Sequence, residues 1–319
     1  MKLYRLCDVC GNKPAVFLQL HTGRRLCKEC FINDLKNRVV NYIRKYSLLN
    51  HNDKILVGLS GGKDSYTLFK ILLEIHDPAK IIGLMIEEGI NGYNREEQYV
   101  FIKNICKEFN VDCIKTDLKR ELGYSVDDFM YLQHRKSLKF SACTYCGIAR
   151  RRVLNYYARI YNVDKVATGH NLDDEVQTYI INILRGDIMR LVQLHPLSEV
   201  HSVSLVKRIK PLRIIYEYET AFFAYLEHYH FQETECPYIS EEPTLRVRVR
   251  ELLYSLENRY PGIQLRFIEY IDKILEPYVI SSRYRNIELP RCINCGEPTS
   301  PNRLLCKLCE LMNLLKDNR

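Results

Sequence analysis

The chain has 319 residues, of which 46% are hydrophobic and 27% charged, and its formal net charge is +8. This length suits two domains or one core with appendages, and the composition is that of an ordinary globular protein, not a disordered or fibrous one. No apolar run reaches the roughly 18 residues of a membrane span, and the opening MKLYRLCDVCGNKP lacks a secretory apolar segment, so the expectation is a cytoplasmic protein with no membrane partner.

Thirteen cysteines stand out. Without an export signal, CxxC spacing favours metal binding over disulfides. The positive charge is a weak hint of a polyanionic partner, because two Zn²⁺ on eight thiolates would lower it to about +4.

In chain order, the first feature is CDVCGNKPAVFLQLHTGRRLCKEC, Cys7 to Cys30. Two knuckles, Cys7/Cys10 and Cys27/Cys30, supply four thiolates for a tetrahedral zinc, and the glycine after the first pair permits a tight turn. KILVGLS (54–60) is a continuous apolar strand, and KDSYTLFKILLEI (63–75) has helical spacing with Leu68, Ile71, Leu72 and Ile75 on one face. Strands follow at 80–88, 111–117 and 164–170, with a further one at 205–212. Helices are expected at 94–110, 147–162 and 172–187, the last stopping at Gly186. From Tyr216 to Tyr260 the chain reads as mainly helical. The segment CINCGEPTSPNRLLCKLC, Cys292 to Cys309, then repeats the layout of the first, with Cys292, Cys295, Cys306 and Cys309 as ligands. Such short pieces bury too little apolar surface to fold alone, so metal supplies the missing free energy.

Strands alternating with helices specify an α/β fold with a Rossmann-like, doubly wound parallel sheet. The expected units are an N-terminal zinc module (1–35), a catalytic domain with a helical C-terminal part (36–285) and a C-terminal zinc module (286–319).

LVGLSGGKDSYTL places Gly61 and Gly62 between a buried strand and an amphipathic helix. Backbone N–H groups of Ser60, Gly61 and Gly62, with the following helix N-terminus, suit a phosphate. Asp64 and Ser65 occupy that first turn, and Ser65 can donate a hydrogen bond there. Neither GxxxxGK[ST] nor GxGxxG is present.

SGGKDS resembles the pyrophosphate (PP) loop of ATP pyrophosphatases that activate a substrate as an adenylate. TGHNLDDEVQT (168–178) resembles a second motif of the tRNA-modifying members, and CTYCG (143–147) with the later ECPY (235–238) narrows the likeness to the tRNA 2-thiolation enzymes of the TtcA/TtuA family. Cysteine modules at both ends are similar to the TtuA-like and archaeal wobble-uridine branches. The resemblance covers nearly the whole chain.

That resemblance implies ATP bound at the C-terminal edge of the sheet by Gly58, Ser60, Gly61, Gly62, Asp64 and Ser65. The backbone near Ile86 would meet adenine, and Gly169 and Asp174 would match the second motif. Asp174 would orient Mg²⁺ or ATP, whereas the neighbouring Asp173 reads as a helix cap, and His170 reads equally as a nucleotide contact or a satisfied structural histidine. The implied reaction adenylates the C2 carbonyl oxygen of a tRNA uridine or ribothymidine and replaces it with sulfur. TtuA-like members usually carry lysine four positions after the second mid-chain cysteine. Arg150 stands there, as in the wobble-uridine branch, and suits a phosphate clamp.

Cys143 and Cys146 cannot complete a tetrahedral zinc site by themselves. Cys236, in a polar, proline-punctuated stretch, matches the family's third cysteine, and three thiolates imply a [4Fe–4S] cluster with one open iron. The alternative is a cluster-free persulfide route. Cys106 and Cys113 read as unpartnered core thiols. Other readings are an adenylating amidotransferase or ligase on the same fold, and a non-enzymatic zinc-ribbon RNA-binding scaffold.

Basic stretches at 134–140, 149–153, 207–213 and 245–253, with 23 tyrosines, suit tRNA. Arg246, Arg248 and Arg250 share a face only if their segment is a strand. The resemblance further implies zinc modules that help grip RNA, and sulfur from a ubiquitin-like carrier protein or from free sulfide. It also admits a homodimer.

Overall fold

The structure, a computed structural model, describes residues 5–93, 96–198, 204–232, 234–241, 244–281 and 289–316. The expected boundary between residues 285 and 286 lies outside that set. The N-terminal hairpin β1 (Phe17–Gln19) and β2 (Arg24–Leu26) leads into α1 (Lys28–Lys45). This helix runs unbroken across residues 35 and 36, so the first cysteine module and the central domain share one element.

Five parallel strands form the central sheet: β3 (Ile55–Leu59), β4 (Ile81–Glu87), β5 (Asp112–Asp117), β6 (Lys165–Ala167) and β7 (Lys207–Ile209). Their spatial order is β5-β4-β3-β6-β7. The chain moves outward from β3 in one direction and then restarts beside it at β6, so the topological switch point lies between β3 and β6. Open α/β sheets bind ligands at such a point, beyond the strands' carboxyl ends.

Alternation along β3 divides the interior. Ile55, Val57 and Leu59 join one core with α1, α2 (Lys63–Ile75), α3 (Glu96–Glu108) and α9 (Glu217–Leu226). Leu56 faces the other core, packed by α5 (Val126–Arg135), α6 (Ala142–Ile160) and, from the far end of the chain, α13 (Lys307–Leu315). Side chains two apart share a face, so a strand buried on both sides must be apolar throughout, as ILVGL is. Two short helices, α4 (Leu118–Leu122) and α10 (Pro237–Glu241), border the second core. A third core joins α7 (Leu172–Leu184), α8 (Ile188–Leu194), α11 (Leu245–Arg259) and α12 (Ile263–Ile280).

The expected elements are present, with informative shifts at their ends. The helix expected from residue 147 begins at Ala142, because Ser141 Oγ caps it by accepting the Thr144 N–H at 3.3 Å. Both mid-chain cysteines therefore lie on its first turns. β6 ends at Ala167 because Thr168–Asn171 turn inward to start α7. Gly186 takes the left-handed φ of +65° just past α7, the conformation that favours glycine after a helix. Ile75, expected on the buried face of α2, is 37% exposed because the helix ends there.

Cys106 and Cys113 correct the expectation of unpartnered thiols, because they form a disulfide joining the end of α3 to β5. Gly83, paired with Cys113 across β4–β5, makes the space: a Cβ there would fall 2.6 Å from the Cys113 sulfur.

Candidate active site at the sheet edge

β3 ends in the loop Ser60-Gly61-Gly62, and α2 starts at Lys63. Gly61 adopts φ +77°, a conformation that costs other residues energy. Ser65, 4% exposed, braces the loop from inside: its hydroxyl accepts from Ser60 N–H at 3.1 Å and donates to the Gly62 carbonyl at 2.9 Å. Tyr229 braces the outer side by donating to the Gly61 carbonyl at 2.7 Å. The first amides of α2 have no acceptor within the helix, so the loop presents donors and the positive end of the helix dipole together.

The second motif packs directly on this loop. At Gly169 a Cβ would lie 2.8 Å from the backbone of Asp64 and Ser65, which excludes any side chain without displacement. Asn171 caps α7 by accepting from Asp174 N–H at 3.0 Å, and its amide donates to Asp64 Oδ1 at 3.1 Å. Thr220 places its hydroxyl 2.5 Å from the same oxygen. Asp64 is thus held from two other elements, the cap of α7 and α9. Lys63 reaches Glu217 at 2.7 Å and Asp64 at 3.3 Å.

Asp173 does not cap its own helix, which corrects the expectation. It accepts from the Glu217 N–H at 2.7 Å and from the Gln264 amide at 3.1 Å, tying α7 to α9 and α12. Asn171 does the capping. Asp174 is different: desolvation, opposed by Arg246 and reinforced by Asp64 and Glu217, raises its pKa to about 7. Two carboxylates sensing one another at the mouth of a phosphate loop suit a shared divalent cation. His170 accepts or donates with Thr168 Oγ1 at 2.9 Å. Crowding by protein, then the charges of Lys210, Arg208 and Arg150, lower its pKa to about 3, so the ring is neutral. Ile86 ends the buried part of β4, with its carbonyl 3.5 Å from the Tyr99 hydroxyl.

The cysteines sort into three kinds. Cys7, Cys10, Cys27 and Cys30 have all four sulfurs within 4.8 Å of one another, as do Cys292, Cys295, Cys306 and Cys309. Each group has the donor set of a tetrahedral metal site. The repeat is physical: Gly11 and Gly296 donate to the Cys7 and Cys292 carbonyls at 2.9 and 2.8 Å with φ near +70°, and Cys27 and Cys306 occupy the N-cap positions of α1 and α13, where the Cys306 sulfur accepts the Cys309 N–H. With the disulfide, these account for all but Cys143, Cys146 and Cys236. Those three do not form a group with all sulfurs within 4.8 Å as the terminal sets do, but they feel one another's charge. Burial raises Cys146 to about 11, with Arg150 opposing and the charges of Glu88, Cys143 and Cys236 adding to it. Burial raises Cys236 as well, and it too feels Cys143 and Glu88. Three soft donors without a fourth cysteine fit an iron–sulfur cluster better than a closed zinc site. Arg150 stands beside them, with its guanidinium 3.4 Å from the buried Glu88.

The basic stretches divide. Arg213 is 1% exposed and grips Asp272 at 2.5 and 2.7 Å with Tyr42 and Tyr179 around it, and Lys210 pairs with buried Glu175 at 2.6 Å. Both are internal supports, not an RNA surface. Arg152 and Arg159 both hold Glu297 of the C-terminal module. Arg151 and Arg208 remain exposed. Residues 245–253 are helical, so Arg246 and Arg250 share a face of α11 and Arg248 does not.

Sequence reasoning passed over Lys63, Glu88, Asn171, Glu217 and Thr220, and it read Arg246 only as part of a basic stretch. Asn171 carried a signal, being a cap residue just before an apolar-periodic run. The others come from distant segments and meet only through the fold.

The chain matches the PP-loop domain family over residues 32–254 and the N-terminal LIM domain of the 2-thiouridine synthetase TtuA over residues 6–32. It is 36% identical to a probable sulfurtransferase of Methanocaldococcus jannaschii, covering 98% of this chain and 88% of that protein. It is 30% identical to the cytoplasmic tRNA 2-thiolation protein 1 of Candida glabrata, across 100% of this chain and 88% of the relative. Among solved structures, the U34-tRNA thiolase NcsA from Methanococcus maripaludis with its [4Fe–4S] cluster superposes with a TM-score of 0.77 and 30% identity, covering 98% of this chain and 97% of that one. No helix among the described residues is long and apolar enough to cross a membrane.

Proposed function

The chain belongs to the PP-loop family of tRNA 2-thiolation enzymes, and from that premise we propose that it is an ATP-dependent sulfurtransferase acting on C2 of the wobble uridine of tRNA. One observation carries this reading: Arg246, paired with Asp174 beside the phosphate loop, and Arg150, paired with Glu88 just past the carboxyl end of β4, are the cations that Cys143 and Cys146 sense. Full-length similarity to a U34-tRNA thiolase, together with arginine at position 150, favours the wobble position over the T-loop.

The reaction has two halves. A uracil carbonyl oxygen is a poor leaving group, so O2 first attacks the α-phosphorus of ATP. The Pα–O–Pβ bond breaks and pyrophosphate departs with its electron pair. Hydrosulfide then adds at C2, the C2–O bond breaks and AMP leaves. Its proton ends on pyrophosphate or solvent, so no oxidant or reductant is consumed. The amides of Ser60, Gly61 and Gly62 and the start of α2 bind the phosphates, and Gly58 and Gly169 keep the approach clear. The backbone at Ile86 meets adenine. Asp64 and Asp174 orient Mg²⁺ and ATP, Ser65 holds the loop's shape, and Arg150 offsets charge on the phosphates. Cys143, Cys146 and Cys236 would hold a [4Fe–4S] cluster, which would supply a binding point for sulfide. The two terminal four-cysteine groups hold zinc.

tRNA is the substrate, and sulfur reaches the site as sulfide or from the thiocarboxylate of a ubiquitin-like carrier. The residue ranges 1–35, 36–285 and 286–319 serve as the two metal modules and the reaction domain between them. Mass spectrometry of tRNA nucleosides with position mapping, from cells with and without the protein, tests this reading. Loss of 2-thiolated uridine at the wobble position is expected, and an unchanged wobble nucleoside would sink it. An anaerobic preparation lacking iron yet fully active would favour the persulfide route.

A further inference from the structure

Arg246 is the one cation among the described residues that an ion pair ties to Asp174. It lies on the first turn of α11, with Nη1 3.4 Å from Asp174 Oδ1 and 3.3 Å from Gln177 Oε1, and Nη2 2.8 Å from Thr178 Oγ1. The guanidinium is 45% exposed, so it is aimed by these contacts yet open to the cleft. Arg246 therefore reaches the carboxylate beside the phosphate loop from a helix outside that loop.

The helix that carries it is anchored to both sides. Four residues on, Arg250 pairs at 2.8 Å with Glu235, the neighbour of Cys236. Four residues further, Tyr254 donates at 2.6 Å to Glu217, the carboxylate that holds Lys63 of the phosphate loop. Positions 246, 250 and 254 form a single stripe along α11. A long side chain positioned by such a helix delivers its head group at little entropic cost.

We propose that Arg246 is a catalytic phosphate-binding residue that contacts the α-phosphate in both halves of the reaction, first as pyrophosphate leaves and then as AMP leaves. The α-phosphate is the group common to ATP, the uridine O-adenylate and AMP, and it is the one that must face both the phosphate loop and the sulfur side. Negative charge grows on its oxygens in each step, and a guanidinium can hold two of them at once. A cation bound at Asp174 would compete with Arg246 for the carboxylate and leave the guanidinium free for phosphate. The inference rests on the proposed thiolase function.

The test uses anaerobically prepared full-length holoprotein, ATP, Mg²⁺ and tRNA without a sulfur donor, and follows the first turnover of pyrophosphate. R246Q should slow that turnover about 100-fold, and R246K about 10-fold, since lysine keeps the charge without the two-pronged donor. Iron content and melting temperature should match the wild type in both. Binding of a non-hydrolysable ATP analogue, read without catalysis, should weaken several-fold in R246Q. Pyrophosphate release by R246Q within twofold of wild type overturns the proposal. So does a defect that saturating tRNA fully restores, which would make Arg246 an RNA-backbone contact. Absence of pyrophosphate release from the wild type with any tRNA would instead count against the parent function.

Discussion

Two kinds of CxxC occur in this chain, and the contrast between them separates structure from chemistry. The terminal groups are closed: four sulfurs lie within 4.8 Å, two of each set are buried, and each second knuckle starts a helix. Within each group the thiols are coupled: burial raises Cys7 and Cys292 but backbone N–H groups outweigh it, whereas burial pushes Cys30 and Cys309 up, so a bound metal would supply the charge that holds all four as thiolates. The central pair is different. Cys143 and Cys146 sit one turn apart on α6, a third cysteine comes from a distant loop, and no fourth exists to close the set. Around them stand the charges of Arg150, Arg246 and Glu88. Identical spacing thus accompanies two settings: four thiols gathered with backbone amides at the termini, and three thiols among charged side chains at the centre.

The contrast is broken most directly by removing one thiol of each kind. C143A, C146A and C236A should each cut 2-thiouridine formation by about 10³-fold or more while circular dichroism and melting stay near wild type. The matching loss is the visible absorption of the iron–sulfur centre. C27S should do the reverse, costing several kcal/mol of stability, lowering bound zinc from two to one, and impairing activity only through unfolding. Unaltered melting in C27S would erase the distinction.

Smaller effects sharpen it. Glu297 fastens the C-terminal module to α6 through Arg152 and Arg159, on the helix that begins with Cys143 and Cys146. E297Q should weaken that attachment by about 1.5–3 kcal/mol, seen as faster limited proteolysis beyond residue 289 with Cys143 and Cys146 still able to hold iron. Asp174 supplies a pH handle. Its pKa, raised to about 7 chiefly by desolvation, means that the ionised form is lost as pH falls through that value. If the carboxylate orients Mg²⁺ and ATP, pyrophosphate release falls about tenfold per unit below pH 7, and excess Mg²⁺ partly restores it. D174N should be slow at every pH and flat across that range. A D174N profile that kept the acidic limb would assign it to another group.

Much of this arrangement was legible because its signals are local. ILVGL must be a doubly buried strand, SGGKDS a turn into a helix, and CxxCG with LCKxC a metal knuckle, and each is found where those rules put it. The start of α6 was recoverable from Ser141, had the cap been weighed against the apolar period. Other features depend on the third dimension. Glu88, Glu217 and Thr220 read as surface polar residues until the fold presses them against Arg150, Lys63 and Asp64. KRIKPLR reads as a basic patch, yet Arg213 is buried among Asp272 and two tyrosines because the sheet's third core closes over it. The pairing of Cys106 with Cys113 required knowing that Gly83 leaves room beside β5.

One element, α1, has a thermodynamic meaning. It leaves Cys27 and Cys30 and runs on through Phe31, Leu35 and Val39 into the same core as the strand that bears the phosphate loop, a core that also includes Cys7 and Cys27. A metal bound only by the folded N-terminal group therefore stabilises the nucleotide site by linkage. Each tenfold rise in free metal above its dissociation constant adds about 1.4 kcal/mol to that cooperative unit. Metal supply at the first knuckle becomes a dial on the fraction of molecules whose central strand and phosphate loop are folded.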